Sequence, residues 1–100
     1  MNFELISGVF FMIINVKEFL GEDFSPEDAI VLRSHIEQNL NEDIELDFNG
    51  IDRVSTYFLQ YLFTDLIYRQ GRDYIIDKIN VKNLSNHRDY SRVVKGTTFN

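Results

Sequence analysis

Between Ile44 and Gln70 the hydrophobic period of the chain switches from two to 3.6, and that switch constrains the fold more than any other feature. Ile44, Leu46 and Phe48 alternate with Glu45, Asp47 and Asn49, the pattern of a strand with one covered face, and Asn49-Gly50 ends it. A helix then starts near Ser55 or Thr56 and runs to Gln70, with Gly71 as its natural stop. Phe58, Leu59, Leu62, Phe63 and Leu66 fall on one side of it when projected at about 100° per residue. A one-sided strand and a one-sided helix bury their apolar faces against each other, so the pair implies a layered α/β core.

The flanking segments extend that pattern. Phe3 to Ile6 and Val9 to Val16 are rich in aromatic and β-branched residues and read as two strands, with Ser7-Gly8 as a two-residue turn. Met12 opens Met-Ile-Ile-Asn-Val, which serves as a first strand by itself. Residues 1–11 are therefore read either as an N-terminal extension or as a hairpin strand. Phe19 to Phe24 reads as a loop around Gly21. Ser25-Pro26-Glu27-Asp28 reads as a helix start, because Ser25 caps, Pro26 suits the first helical position and the acids suit the positive end of the dipole. The spacing predicts a helix over 26–40, with Ala29, Leu32, Ile36 and Leu40 inward and Arg33, Glu37 and Asn41 outward. Tyr74 to Val81 reads as a strand and Ser85 to Lys95 as a last helix stopped by Gly96, with Thr97 to Asn100 as a frayed tail. The resulting order, β-β-α-β-α-β-α, predicts one α/β domain over residues 1–100. It would hold a four- to five-stranded mixed sheet and about three helices, joined by right-handed crossovers.

Composition narrows the function. The chain has no Cys and only two His, His35 and His87, which excludes disulfides, thiolate metal sites and a Cys nucleophile and makes a His-based catalytic centre improbable. No Gly-rich phosphate loop or nucleophile elbow is present, so neither an enzyme nor a cofactor is expected. Glu22, Asp23, Glu27 and Asp28 fit a helix start better than a metal loop, and Glu45 and Asp47 read as solvent-facing. Ser85 reads as a cap ahead of an exposed His87. A net charge of −6 argues against nucleic acid and anionic membrane as partners. The charge is uneven: residues 1–52 hold 12 acids and two bases, residues 53–100 four acids and eight bases. Random scatter accounts for this, and an acidic half that meets a basic partner is the sharper reading. The apolar stretch Leu5 to Ile14 is far shorter than the ~20 residues of a membrane helix, and no base precedes it as in a secretory signal. The cytoplasm is the default location.

The second long helix carries the main functional signal. Tyr57, Tyr61, Thr64 and Tyr68 fall opposite its core face, where a surface helix usually shows Lys and Glu. Three readings stand. The tyrosines are covered by another layer of the same domain; they form a protein–protein interface, for which Tyr is well suited; or they stack on bases, which an acidic chain does not favour.

The run from Ile44 to Ile51, Ile-Glu-Leu-Asp-Phe-Asn-Gly-Ile, followed by Ser55-Thr56-Tyr57-Phe58 and an apolar helix, resembles the STAS domain pattern. Within it, the chain is most similar to the bacterial STAS-like family of unknown function. The earlier Asn-Val-Lys-Glu-Phe and Ser-Pro-Glu-Asp-Ala segments fit as well, so the resemblance runs over roughly 12–95. It implies a STAS-like fold and a regulatory protein-interaction role like that of anti-sigma-factor antagonists. In those, a histidine-kinase-like ATPase partner phosphorylates a Ser in an Asp-Ser-Ser-Gly segment and phosphorylation releases the partner. Laid on that segment, Ser55 replaces the Asp, Thr56 takes the phosphorylated position, and Tyr57 and Phe58 depart from the pattern. The resemblance thus marks Thr56, with Ser55 beside it, as a phosphorylation candidate, whereas helix capping is the ordinary role of Ser and Thr at such a place. A non-switching assembly or homodimerisation domain using the tyrosine face is the alternative.

Overall fold

Alternating apolar residues line up across three parallel strands in the computed structural model, which describes residues 2–6 and 9–96, with side chains from residue 11 onward. β1 (Asn2–Ile6) runs antiparallel to β2 (Val9–Asn15), Asn2 opposite Ile13 and Ile6 opposite Val9. β2, β3 (Asp43–Asp47) and β4 (Ile79–Lys82) are parallel, in the order β1-β2-β3-β4. Met12 pairs with Ile44 and Ile44 with Ile79; Ile14 pairs with Leu46 and Leu46 with Val81. These positions share one face, on which Met12, Ile14, Ile44, Leu46 and Ile79 are buried. Phe11, Ile13, Asp43, Glu45, Asp47, Asn80 and Lys82 take the alternate positions, partly or fully exposed. Neighbouring parallel strands follow one another in sequence, so both crossovers pack on the same face and two layers result.

The helical layer begins with α1 (Val16–Leu20), capped by the Asn15 side chain, which accepts from Glu18 N–H at 2.9 Å. Gly21, at φ 89°, stops it. Phe19 and Leu20 of this helix take the start of the expected Phe19–Phe24 loop, and Val16 takes the end of the expected strand Val9–Val16. Ser25 stands at the N-cap, as the sequence predicts, and also forms a capping box with Asp28. The helix after it is divided, however: a 3-10 turn covers Pro26–Asp28 and α2 covers Ala29–Glu37, ending short of residue 40. α3 (Thr56–Gln70) matches the predicted helix, with Gly71 at φ 91° as its stop. It presses Phe58, Leu59, Leu62, Phe63 and Leu66 into the core. Burying five such side chains contributes on the order of 10 kcal/mol of transfer free energy.

The expected strand Tyr74–Val81 is corrected. Residues Arg72–Lys78 form α4, and only Ile79–Lys82 pair as β4. Ile75 enters the core from α4 and Ile79 from β4, and Lys78 Nζ lies 5.9 Å from the centre of the Tyr74 ring one turn back. The expected helix Ser85–Lys95 is likewise shorter: α5 (His87–Tyr90) passes into a π-helical turn, Ser91–Lys95, with Asn86 rather than Ser85 at its N-cap. The helix count differs from the three expected. Among the described residues the sheet has three parallel strands with β1 as an antiparallel edge, under five α-helices. The Ser7-Gly8 turn and the Thr97–Asn100 tail lie outside the described residues. No helix among the described residues is long and apolar enough to cross a membrane.

Candidate interaction face

Ser55 fixes where α3 begins. Its backbone is extended (φ −58°, ψ 141°), and its hydroxyl accepts from Tyr57 N–H at 3.1 Å, the ordinary geometry of a cap. The loop before it is tied to the segment entering α5. Val54 N–H donates to Asn86 Oδ1 at 3.1 Å, and Asn86 Nδ2 donates to Val54 carbonyl oxygen at 2.6 Å. Asn86 Nδ2 also donates to Asp89 Oδ2 at 3.0 Å, and Arg53 reaches that oxygen at 2.9 Å. The Ser85 hydroxyl donates to the Asp52 carbonyl. Asn86 is buried, so a residue some thirty positions downstream sets the entry angle of α3.

Thr56, the first residue of α3, is exposed and lines a groove of about 710 Å³ with Gln60, Tyr61, Thr64, Asp65 and Tyr68. Arg33 of α2 and Arg92 and Val93 of the C-terminal turn also line it. Ser55 lines a different, smaller cleft, with Phe24, Arg53 and Phe58. The structure therefore separates two residues that are adjacent in sequence. Ser55 Oγ is engaged as a cap, whereas Thr56 opens onto the tyrosine face.

The tyrosines are uncovered. Tyr57 is 67% exposed, Tyr61 40% and Tyr68 88%, and Thr64 is exposed among them. The reading in which another layer of the chain covers them is set aside. Thr56, Tyr61, Thr64 and Tyr68 line the groove together; Tyr57 stands exposed on the same outer side of α3.

The seam between α2 and α3 is held by charge. Arg33 Nη1 donates to the Tyr61 carbonyl at 3.0 Å. Its Nε lies 3.7 Å from Glu37 and 3.8 Å from Asp65, while Arg69 approaches Asp65 at 3.1 Å and Glu37 at 3.6 Å. Arg33, Glu37 and Asp65 are only partly exposed, so the network restrains the backbone of the tyrosine face more firmly than surface pairs do. Sequence spacing turns Arg33 outward but carries no sign of a partner 32 positions away. The same is true of Arg92 and Val93, and of Asn86 beneath the loop.

On the sheet, Glu45 is not the freely solvated carboxylate that the alternation predicts. Its side chain is 13% exposed and paired to Lys82 at 3.3 Å. Asp47 accepts from Asn83 Nδ2 at 2.8 Å and from Asn49 N–H at 2.9 Å, which closes the turn after β3.

A family model described as a STAS-like domain of unknown function matches residues 28–89, inside the span over which the sequence motifs run. No curated protein and no solved structure matches the chain.

Proposed function

The chain belongs to the STAS-like domain family, and from that premise we propose that it is a regulatory protein-interaction module, without catalysis of its own, whose docking surface is the outer face of α3. The observation that carries this reading is the exposure of Tyr57, Tyr61 and Tyr68 along one helix. Tyrosine gives a large contact area with few rotatable bonds and a polar tip, so it loses little entropy on binding. The Arg33–Asp65 network beneath it holds that area in place before a partner arrives.

Thr56 supports a second element, a phospho-switch acted on by a histidine-kinase-like ATPase. Its exposure at the first position of α3, on the groove itself, favours it over Ser55, whose hydroxyl is engaged as the cap. A phosphate there adds about −1.5 to −2 charges at the positive end of the helix, where the fold tolerates it and a docked partner does not.

Native co-purification with wild-type protein, Tyr61→Ala and Thr56→Glu tests the module. Tyr61→Ala should weaken association by about 2 kcal/mol or more with an unchanged melting temperature. Thr56→Glu should stay folded and release the partner. Retention of every co-purifying protein by both variants contradicts the reading. Phosphopeptide mapping after incubation with a histidine-kinase-like ATPase and ATP tests the switch separately, and phosphate on neither Thr56 nor Ser55 ends it.

A further inference from the structure

Tyr57, Tyr61, Thr64 and Tyr68 follow one another at intervals of four, three and four residues, and all four are exposed. That is the a/d spacing by which one helix offers a seam to another helix, so the spacing describes the shape of the occupant as well as its chemistry. Among the described residues, α3 is the longest helix.

We propose that the occupant is a second copy of the chain, packed about a two-fold axis with the two α3 helices antiparallel. The proposal rests on the reading of this face as an interaction surface. Charge singles out this side of the molecule. The chain carries −6 in total and −10 over residues 1–52, so copies repel across much of their surface. Beside the seam, Arg33 and Arg69 pair with Glu37 and Asp65, two positive groups with two negative. Two like-charged copies approach there without that repulsion.

Antiparallel pairing follows from the side chains. A two-fold axis between Tyr61 and Thr64 sets the small Thr64 against Tyr61 of the second copy and Tyr57 against its Tyr68, so that small meets large at the centre. It also opposes the two helix dipoles. A helix of 15 residues is about 22 Å long, and a stable dimer covers about 800 Å² per partner, so α3 needs a flank. α2 supplies it. It runs beside α3 in the same direction, since Arg33 reaches Tyr61 and Glu37 reaches Arg69, and it exposes Ile30 and Val31.

Sedimentation equilibrium on the whole chain tests the proposal. The wild-type mass should rise from one chain to two with concentration. Tyr61→Glu should raise the dissociation constant at least ~30-fold with an unchanged melt. Tyr68→Glu, at a position with still greater exposure, repeats the test should Tyr61→Glu fold poorly. The native chain has no thiol, so Thr64→Cys supplies a single one beside the axis and should join two copies through a short thiol–thiol linker, whereas Asn80→Cys on β4 should not. A wild-type mass of one chain at about 1 mM, above the dissociation constant of most specific dimers, overturns the proposal. So does a dimer that persists unchanged in both glutamate variants. A monomeric wild type whose Tyr61→Glu variant still loses a protein co-purifying from native extract removes the second copy and leaves the docking face standing; loss of neither removes both.

Discussion

At the scale of single residues, Ser55 and Thr56 show how far local chemistry reads out of sequence. Ser ahead of an apolar helical run is a cap signal, and Ser55 is the cap. Ser55→Ala should cost about 0.5–2 kcal/mol in chemical denaturation, and Thr56→Ala distinctly less. Asn86 was not legible, because its partner Val54 lies 32 positions away and nothing local distinguishes it from a surface Asn. Asn86→Leu would leave a buried N–H and a buried carbonyl unpaired, at about 1–3 kcal/mol each. Its melting temperature should fall well below that of Ser55→Ala. Tyr90 gives a pH test. It is buried against Phe63, ring centres 5.6 Å apart, and burial pushes its pKa above the ordinary 10.0. The unfolded chain therefore ionises first. The contribution is fully present below pH 10 and is lost as pH rises through the higher folded value. Denaturant melts across that range should show a decline for wild type that is shallower for Tyr90→Phe.

At the scale of elements, a period held over many residues was legible, and a short apolar run was not. Five alternating positions define β3, and fifteen residues with one core face define α3. Tyr74-Ile75-Ile76 has strand-forming side chains and no breaker before Val81, yet it is helical. Gly71 N–H closes α3 on Ile67 while the Gly71 carbonyl accepts from Ile75 to open α4, so a second helix starts directly from the end of the first. The two adjacent isoleucines then differ. Ile75→Ala should cost about 2–5 kcal/mol, and Ile76→Ala, at an exposed position, about 0.5 or less in the same melts. β1 can be tested by truncation. A chain beginning at Met12 keeps the buried Met12 and Ile14 of β2 and should still melt cooperatively, with a loss of about 1–3 kcal/mol. Loss of the cooperative transition would make β1 and the first three residues of β2 integral to the fold.

At the scale of the whole molecule, the uneven charge of the sequence is partly folded inward. Arg69–Glu37, Lys78–Asp43 and Lys82–Glu45 each join an acid of the first half to a base of the second. The tyrosine face needs explaining, since three large side chains stand in water on a helix otherwise locked in place. Its residues were legible from the 3.6 period alone; its flanks, Arg33, Arg92 and Val93, were not, because separate elements bring them to the groove. Tyrosine footprinting tests the central claim that this face is a docking surface most directly. Tyr57, Tyr61 and Tyr68 should react readily with an iodinating reagent in dilute purified protein and be protected in native extract. Tyr74, as exposed as Tyr61 at 41% against 40% but on α4, should react in both. Equal reactivity of the α3 tyrosines in the two samples would contradict the account.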